Sequence, residues 1–190
     1  MNIALYEYYP RGNIHDIIFS TDNKLNWELK LPIIKGIASG LNYLHHELEF
    51  GALLHMDIKL ANVLLDANFI PKISDFGLGL VFSHCNSSPI VAKKGIVGIE
   101  TYIVPEVKFG VLSSKADVYS FGYVPFELIT ERVTDGANLT NLHKALKLGY
   151  EGQYFELPLP ELPYTDDSAV ADQMDQCLTL AVACMIIKIH

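Results

Sequence analysis

The chain has 190 residues, 50% of them hydrophobic, and a formal net charge of −8 at pH 7. A chain of this length buries on the order of 70% of its unfolded surface as one domain, so we expect a single domain with an apolar core. The acidic balance argues against a nucleic-acid surface and against a polybasic membrane patch. The longest apolar run, residues 178–187, is shorter than the roughly 20 residues of a membrane helix, so it predicts a buried helix and no membrane segment.

The first residues predict a strand that ends in a turn. Residues 3–6 are apolar or aromatic, and residues 7–12 include Pro10 and Gly12, which are typical of turns. By itself this stretch indicates an ordinary edge strand with a Pro-Gly turn.

The next segment predicts a helix that Asn26 caps and that runs toward Glu47. Pro32 would cost about 3 kcal/mol in a helix interior, so we expect the helix to begin later, with Pro32 in its first turn. We interpret His45 and His46 as surface or packing residues and not as metal ligands. The apolar stripe that defines the helix consists of Leu31, Ile34, Ala38, Leu41 and Leu44.

Residues 55–77 carry the polar side chains with the clearest chemical pattern. Phosphoryl transfer needs a carboxylate to orient the attacking hydroxyl, a cation on the phosphoryl oxygens and oxygen ligands for magnesium. Asp57, Lys59, Asn62 and Asp75 have these chemical types.

A plain hairpin is the competing interpretation of the same stretch. Residues 63–65 and 70–73 predict two strands, and residues 66–68 predict the turn that joins them. The hairpin accounts for the strands but not for the four polar side chains around them.

The order H-x-D-x-K-x-x-N over residues 55–62, followed by D-F-G at residues 75–77, resembles the catalytic and metal-binding loops of protein kinases. The resemblance implies that Asp57 orients the substrate hydroxyl and accepts its proton, and that Lys59 steadies the transferred phosphoryl group. It also implies that ATP and Mg²⁺ are the cofactors.

Further roles follow from the same resemblance. Asn62 and Asp75 match the kinase residues that hold magnesium at the nucleotide. Residues 1–12 resemble the end of the strand and the hinge that join the two kinase lobes, which implies that Glu7 and Tyr8 bind the nucleotide. We therefore expect a kinase-like C-terminal lobe, an α+β fold that is mainly α-helical, with a small hairpin beside the catalytic loop.

The domain boundaries follow from this alignment. Residues 13–190 are expected to form a helical large lobe that stops before its last part, and the small lobe is expected to be absent. The 190 residues contain neither the G-x-G-x-x-G loop nor the V-A-I-K lysine of kinases.

The segment from Asp75 to Glu106 has many small and polar residues and predicts a mobile loop. Val104-Pro105-Glu106 resembles the A-P-E that ends the kinase activation segment. In this alignment Ile99 replaces the threonine that bridges the catalytic aspartate and lysine, and Thr101 replaces a glycine. The candidate phosphorylation sites in this loop are Ser83, Ser87 and Ser88.

Residues 114–117 predict a capping-box-like helix start, and the phrase that follows resembles the central helix of the kinase large lobe. There the aspartate, here Asp117, ties down the catalytic-loop backbone. Pro125 falls inside this helix at an expected cost of about 3 kcal/mol. A short helix is predicted at residues 141–146 and a last helix near residues 169–189. The apolar stripe of the last helix is Met174, Cys177, Leu178, Ala181 and Met185.

Together these phrases resemble plant leucine-rich-repeat receptor-like kinases. Lys59 fits the serine/threonine class, and Met56 in place of the H-R-D arginine resembles the subgroup without that arginine. The resemblance implies a protein substrate or docking partner and a place on the cytoplasmic side of the plasma membrane. Three hypotheses stay open: a weak or inactive serine/threonine kinase, a catalytically dead binding module, and a decayed gene fragment.

Overall fold

A computed structural model describes residues 7–20, 24–82, 90–91, 111–132 and 165–186. Helices account for most of these residues, and the strands are only two or three residues long. The α-helices are α1 Ile14–Phe19, α2 Trp27–Asn42, α3 Ser114–Thr130 and α4 Ser168–Ile186. A π-helix Tyr43–Glu47 follows α2, and two 3₁₀ turns span Leu60–Asn62 and Phe76–Leu78. The strands are β1 Ala52–Leu54, β2 Val63–Leu65, β3 Pro71–Ile73, β4 Leu80–Phe82, β5 Ile90–Val91 and β6 Val111–Leu112. The predicted mainly helical α+β fold is confirmed.

Helix α2 begins earlier than we predicted. Asn26 caps it as expected, because its side-chain oxygen accepts a hydrogen bond from the Leu29 amide at 3.1 Å. The first helical residue is Trp27, however, so Pro32 lies inside the helix and the expected later start is wrong. The indole nitrogen of Trp27 donates to Gln173 Oε1 at 2.9 Å. This bond to α4 holds the first turn of α2 in place. Pro32 has no amide hydrogen, so the helix lacks one backbone hydrogen bond at that residue.

The buried face of α2 is also wider than the predicted stripe. Ile33 and Ile37 are fully buried and were not in the stripe, whereas Ala38 is exposed. The face is wide because α2 packs on both α3 and β3. At Gly36 an added Cβ would lie 2.5 Å from the Pro71 side chain, so the helix approaches the hairpin closely there. A single period of 3.6 residues predicts one contact face and misses the second.

Each of the three described sheets is an antiparallel pair of strands. In the β2–β3 hairpin Val63 pairs with Ile73, which confirms the predicted hairpin apart from Ile70, which lies outside β3. Asp66 shapes the turn, since its Oδ1 accepts hydrogen bonds from the amides of Asn68 and Ile70 at 2.8 and 2.9 Å. The β1–β4 pair joins the chain just before residue 55 to the chain just after residue 77.

Helices α3 and α4 pack against each other more extensively than any other two described elements. Gly122 makes this possible, because an added Cβ would lie 2.7 Å from the Ala181 carbonyl oxygen. The predicted stripe on α4 is confirmed, with Cys177 partly buried and the other four side chains buried. Pro125 lies inside α3, which continues without a break to Thr130.

The start of α3 differs from the predicted capping box. Ser113, not Ser114, is the N-cap and accepts a hydrogen bond from the Lys115 amide at 3.2 Å. Asp117 does not reach back to this end, because its carboxylate is engaged with residues near 55. In the part of the chain that the structure describes, no helix is long and apolar enough to cross a membrane.

Several predictions fall outside the described residues. They concern the strand at residues 3–6, the segment at residues 104–106 and the helix at residues 141–146. The same holds for Ile99, Thr101, Ser83, Ser87 and Ser88.

Candidate active site

The loop between β1 and β2 brings three of the predicted site residues together. Lys59 Nζ lies 2.7 Å from Asp57 Oδ2, and Asn62 Nδ2 donates to the same oxygen at 2.8 Å. The Asn62 amide also donates to the Asp57 carbonyl at 2.8 Å. A 3₁₀ turn over Leu60–Asn62 turns the chain so that a residue five positions after Asp57 can make both bonds. The carboxylate is therefore fixed from two sides, with Oδ1 left for a further donor.

The Asp117 carboxylate anchors the start of this loop. Asp117 is fully buried and accepts hydrogen bonds from the amides of His55 and Met56 at 2.8 and 2.7 Å. Its third donor is His45 Nε2 at 2.8 Å. Met56 has a φ of +67°, a left-handed conformation that an L-residue keeps only when its surroundings compensate the strain. The bond from its amide to Asp117 supplies part of that compensation.

His55 joins the loop to the segment that carries Asp75. Its Nδ1 accepts from the Asp57 amide at 3.3 Å, so Nε2 carries the proton and donates to the Ser74 carbonyl at 2.8 Å. Ser74 in turn donates to the Asn62 carbonyl through its amide and its hydroxyl, both at 2.9 Å. Ser74 directly precedes Asp75, so these bonds hold Asp75 close to Asn62.

Asp75 is presented on a strained turn. Its φ of +63° is left-handed, and the 3₁₀ turn Phe76–Leu78 follows it at once. The Phe76 ring packs edge-on against the His55 ring, with 4.7 Å between centroids. The Asp75 side chain is exposed, and no described residue makes a hydrogen bond to its carboxylate. The turn thus leaves two carboxylate oxygens open to a ligand.

A cavity of 680 Å³ lies beside Asp75 and extends to the first described residues. Glu7 lines it, as predicted for a nucleotide site, but Tyr8 does not and is 83% exposed. Tyr9 lines it instead and donates from its hydroxyl to Glu7 Oε2 at 2.9 Å. This hydrogen bond, more than burial, raises the pKa of Tyr9. The lining residues are Glu7, Tyr9, Leu64, Ile73, Ser74, Asp75, Phe76 and Gly77.

The oxygen donors suit magnesium. Because Asn62 turns its amide nitrogen toward Asp57, Oδ1 remains as its ligand atom, and Asp75 contributes carboxylate oxygens. Within the described ranges no three His, Cys, Asp or Glu side chains converge on one point. A cation held by Asn62 and Asp75 would therefore take its other ligands from phosphate and water, as magnesium commonly does at nucleotide sites.

The sequence matches the family described as protein tyrosine and serine/threonine kinase over residues 2–183. The chain belongs to the protein kinase family. Members of this family use ATP and magnesium to phosphorylate proteins. Because they match the H-x-D-x-K-x-x-N and D-F-G motifs of this family, we call residues 55–62 the catalytic loop and residues 75–77 the metal-binding turn.

Relatives of this kinase domain are plant receptor-like kinases. Cysteine-rich receptor-like protein kinase 6 of Oryza sativa subsp. japonica is 35% identical, covering 96% of this chain and 27% of that protein. Cysteine-rich receptor-like protein kinase 27 of Arabidopsis thaliana is 36% identical, covering 96% and 29%. G-type lectin S-receptor-like serine/threonine-protein kinase SRK, also of Arabidopsis thaliana, is 40% identical, covering 78% and 17%. The chain thus spans less than a third of these relatives.

Reasoning from the sequence missed three contributors to the kinase site. His55 was recognised only as a motif letter, Ser74 was not singled out, and His45 was assigned to the surface or to packing. For His45 the packing alternative is confirmed, because its side chain is buried, but its bond to Asp117 was not predicted. No sequence signal pairs residues that lie 72 positions apart, whereas the anchoring role of Asp117 came from the resemblance and is confirmed.

Proposed function

We propose that this chain is the catalytic part of a receptor-like serine/threonine kinase domain, which transfers the γ-phosphoryl group of Mg-ATP to a protein hydroxyl. The observation that carries the proposal is the fixed Asp57 carboxylate, with Lys59 Nζ at 2.7 Å and Asn62 Nδ2 at 2.8 Å. A mobile aspartate could serve many purposes, but a carboxylate held beside one ammonium and one amide suits a positioned base.

Asp57 has the acid–base role in this proposal. Its Oδ1 orients the serine or threonine hydroxyl and accepts the proton as the new O–P bond forms. The bond between the γ-phosphorus and the β–γ bridging oxygen breaks, and ADP leaves. Lys59 lies where its ammonium can balance negative charge on the transferred group, a form of electrostatic stabilisation that typically contributes a factor of about 10²–10³ in rate.

Asn62 and Asp75 have the metal-binding role. Magnesium at these residues would neutralise charge on the nucleotide phosphates. Asn62 is the more rigid of the two, since its side-chain nitrogen and its backbone carbonyl are both bonded. The Asp75 side chain is exposed, so its carboxylate can adjust to the position of the phosphates.

Glu7 and Tyr8 retain the nucleotide-binding role predicted for them. Glu7 and Asp75 line one cavity, which supports a nucleotide that extends from the first described residues to the metal-binding turn. Tyr8 would contribute through its backbone, because its side chain is exposed.

Finer assignments belong to the same proposal. The partners are a protein substrate or docking protein and ATP, and the domain acts on the cytoplasmic side of the plasma membrane. Met56 assigns the chain to the kinases without the H-R-D arginine, in which no arginine at this position pairs with an activation-loop phosphate. The leucine-rich-repeat subgroup remains a prediction from the motif phrases.

The test is phosphate transfer with a matched aspartate variant. Residues 1–190 alone, which contain no glycine-rich loop, are expected to transfer radiolabelled phosphate at background rate. Fusion of a complete small lobe together with Ile99→Thr should restore transfer, and Asp57→Asn in that fusion should lower the rate by about 10²–10³. A restored rate that Asp57→Asn leaves unchanged would contradict the proposed base.

A catalytically dead binding module is the second candidate. The observations that favour it are Met56 and Ile99, two departures from the residues that kinases use for regulation and for bridging the catalytic pair. If the fusion with Ile99→Thr binds Mg-ATP yet stays silent in the transfer assay, the binding module becomes the better account of the chain.

A further inference from the structure

Arg11 makes two contacts with the turn of the β2–β3 hairpin. Its Nε donates to the Ala67 carbonyl at 3.0 Å, across 56 positions of sequence. Its guanidinium carbon lies 3.6 Å from the centroid of the Phe69 ring. A planar cation stacked on an aromatic face while it donates a hydrogen bond in its own plane is well defined in orientation. We call Arg11, Ala67 and Phe69 together the hairpin clamp.

Phe69 adopts a conformation that its side chain disfavours. Its φ is +62°, and a bulky residue in the left-handed region is a strained outlier. Its amide donates to the Asp66 carbonyl at 3.1 Å, which closes the turn. Strain of this kind persists only where neighbouring contacts compensate it. The stacking of Arg11 on the Phe69 ring is one such contact.

Residues 9–13 connect the hairpin clamp to the cavity beside Asp75, because Arg11 belongs to the clamp and Tyr9 lines the cavity. The Gly12 carbonyl accepts from the Leu65 amide at 2.9 Å, and Asn13 bridges to Leu64. Residues 9–12 form a turn that the Gly12 amide closes by donating to the Tyr9 carbonyl at 3.1 Å, and the chain then meets β2 at the single bridge of Asn13. Tyr9 is at the start of this segment and lines the cavity together with Leu64 and Ile73 of the hairpin.

We propose that the hairpin clamp is a positioning device that sets the affinity of this cavity for a purine nucleotide. The proposal rests on the proposed function, because it takes the cavity to be the nucleotide site. The hairpin supplies one wall through Leu64 and Ile73, and Glu7 and Tyr9 supply another. Arg11 holds the wall formed by Glu7 and Tyr9 at a constant distance from the hairpin wall. The cavity is then preorganised, and less free energy is spent on ordering it when the nucleotide binds.

The experiment measures ATP binding by NMR titration, which reaches millimolar Kd values, on residues 1–190. Arg11→Ala and Phe69→Leu should each weaken ATP binding by about fivefold. Because the two residues form one contact, the double variant should bind like either single variant. Phe69→Tyr keeps the ring and should bind like the wild type.

Two controls separate positioning from general stability. Arg132→Ala removes an exposed arginine that does not line the cavity and matches the charge lost in Arg11→Ala, so it should leave the Kd unchanged. Hydrogen exchange of the Leu65 amide should be faster in the clamp variants, while the midpoint of denaturant unfolding stays near that of the wild type.

The outcomes distinguish the two proposals. ATP bound with equal affinity by the wild type and by all clamp variants would overturn the clamp alone. Weaker binding together with an equally large fall in unfolding midpoint would also overturn it, since the effect would then be general destabilisation. A wild-type chain that binds no ATP would overturn the nucleotide assignment and the clamp proposal together.

Discussion

The loops that carry the site and the pair of helices beneath them are stabilised in different ways. In the catalytic loop and the metal-binding turn, named polar groups bond to one another: Asp57 to Lys59 and Asn62, and His55 to Ser74. Between α3 and α4 the contacts are apolar and close, with Gly122 against the Ala181 backbone. The loops need particular partners, whereas the helices need complementary shape.

Asp117 connects the two regions. It belongs to α3 by sequence, but its carboxylate serves the loop, where it accepts hydrogen bonds from His55, Met56 and His45. The comparison teaches that shape complementarity places α3, and that one buried side chain transmits this position to the catalytic loop. Variants of each region should therefore differ in whether they disturb the site, the stability or both.

The largest effect is expected from Asp117→Asn, which should disturb both regions. The amide keeps the shape but turns an NH₂ group toward a donor, so a buried N–H loses its acceptor. We expect a loss of about 3 kcal/mol in the free energy of unfolding, measured with denaturant, and faster hydrogen exchange of the Met56 amide. Asp175→Asn on the exposed face of α4 is the matched control and should change stability by less than about 0.5 kcal/mol. If both variants changed the unfolding free energy and the Met56 exchange equally, Asp117 would not be what connects the two regions.

Gly122→Ala should disturb the helices and spare the loops. The added Cβ would lie 2.7 Å from the Ala181 carbonyl oxygen, which is backbone and cannot turn aside. We expect a loss of about 2 kcal/mol in unfolding free energy with unchanged exchange of the Met56 amide. At Gly40 the nearest atom is instead the tip of the Ile73 side chain at 3.0 Å, so Gly40→Ala should cost little. A disturbed site in Gly122→Ala would mean that the two regions are not separable.

Pro125→Ala sharpens the comparison by improving the helix alone. Pro125 is buried inside α3 and leaves the Phe121 carbonyl without its helical donor. Alanine restores that donor but loses the packing of the proline ring. We expect the free energy of unfolding, measured by heat or denaturant, to rise by about 1 kcal/mol. A loss of stability would show that the ring's packing outweighs the missing hydrogen bond.

The smallest effect is expected from Glu131→Gln, at the end of α3. Burial by itself would raise the pKa of Glu131, but hydrogen bonds from Lys24 and Lys30 outweigh it and hold the pKa below its ordinary value of 4.5. The ionised carboxylate therefore stabilises the fold fully above pH 4.5, and this contribution is lost as the pH falls through the folded pKa. We expect Glu131→Gln to cost about 0.5–1 kcal/mol at pH 7.

The pH dependence supplies the control for that variant. Unfolding free energies of the wild type and of Glu131→Gln should converge as the pH falls from 4.5 through the lower folded pKa, because below that pKa the wild-type carboxyl is protonated in both states. A difference that stays constant down to pH 3 or so would mean that shape, and not charge, is what Lys24 and Lys30 recognise.

Local signals predicted the elements well and their contacts less well. Asn26 as a cap, the 63–73 hairpin and the α4 stripe are confirmed, because caps, turns and periodicity act over a few residues. The start of α2 and the N-cap of α3 were wrong. At Trp27 a bond to Gln173 of α4 fixes the first turn. The Asp117 carboxylate bonds to the amides of His55 and Met56, so it cannot complete the capping box predicted from Ser114.

For the candidate site, the sequence by itself determined the types and order of Asp57, Lys59, Asn62 and Asp75, and these predict phosphoryl transfer. Only the tertiary structure decided how these residues are held. Asp117 lies 62 positions beyond His55 yet bonds its amide, and Arg11 lies 56 positions before the Ala67 carbonyl that it clamps. Contacts at such separations depend on how α2, α3 and the hairpin pack, and packing is a property of the whole folded chain that no local pattern contains.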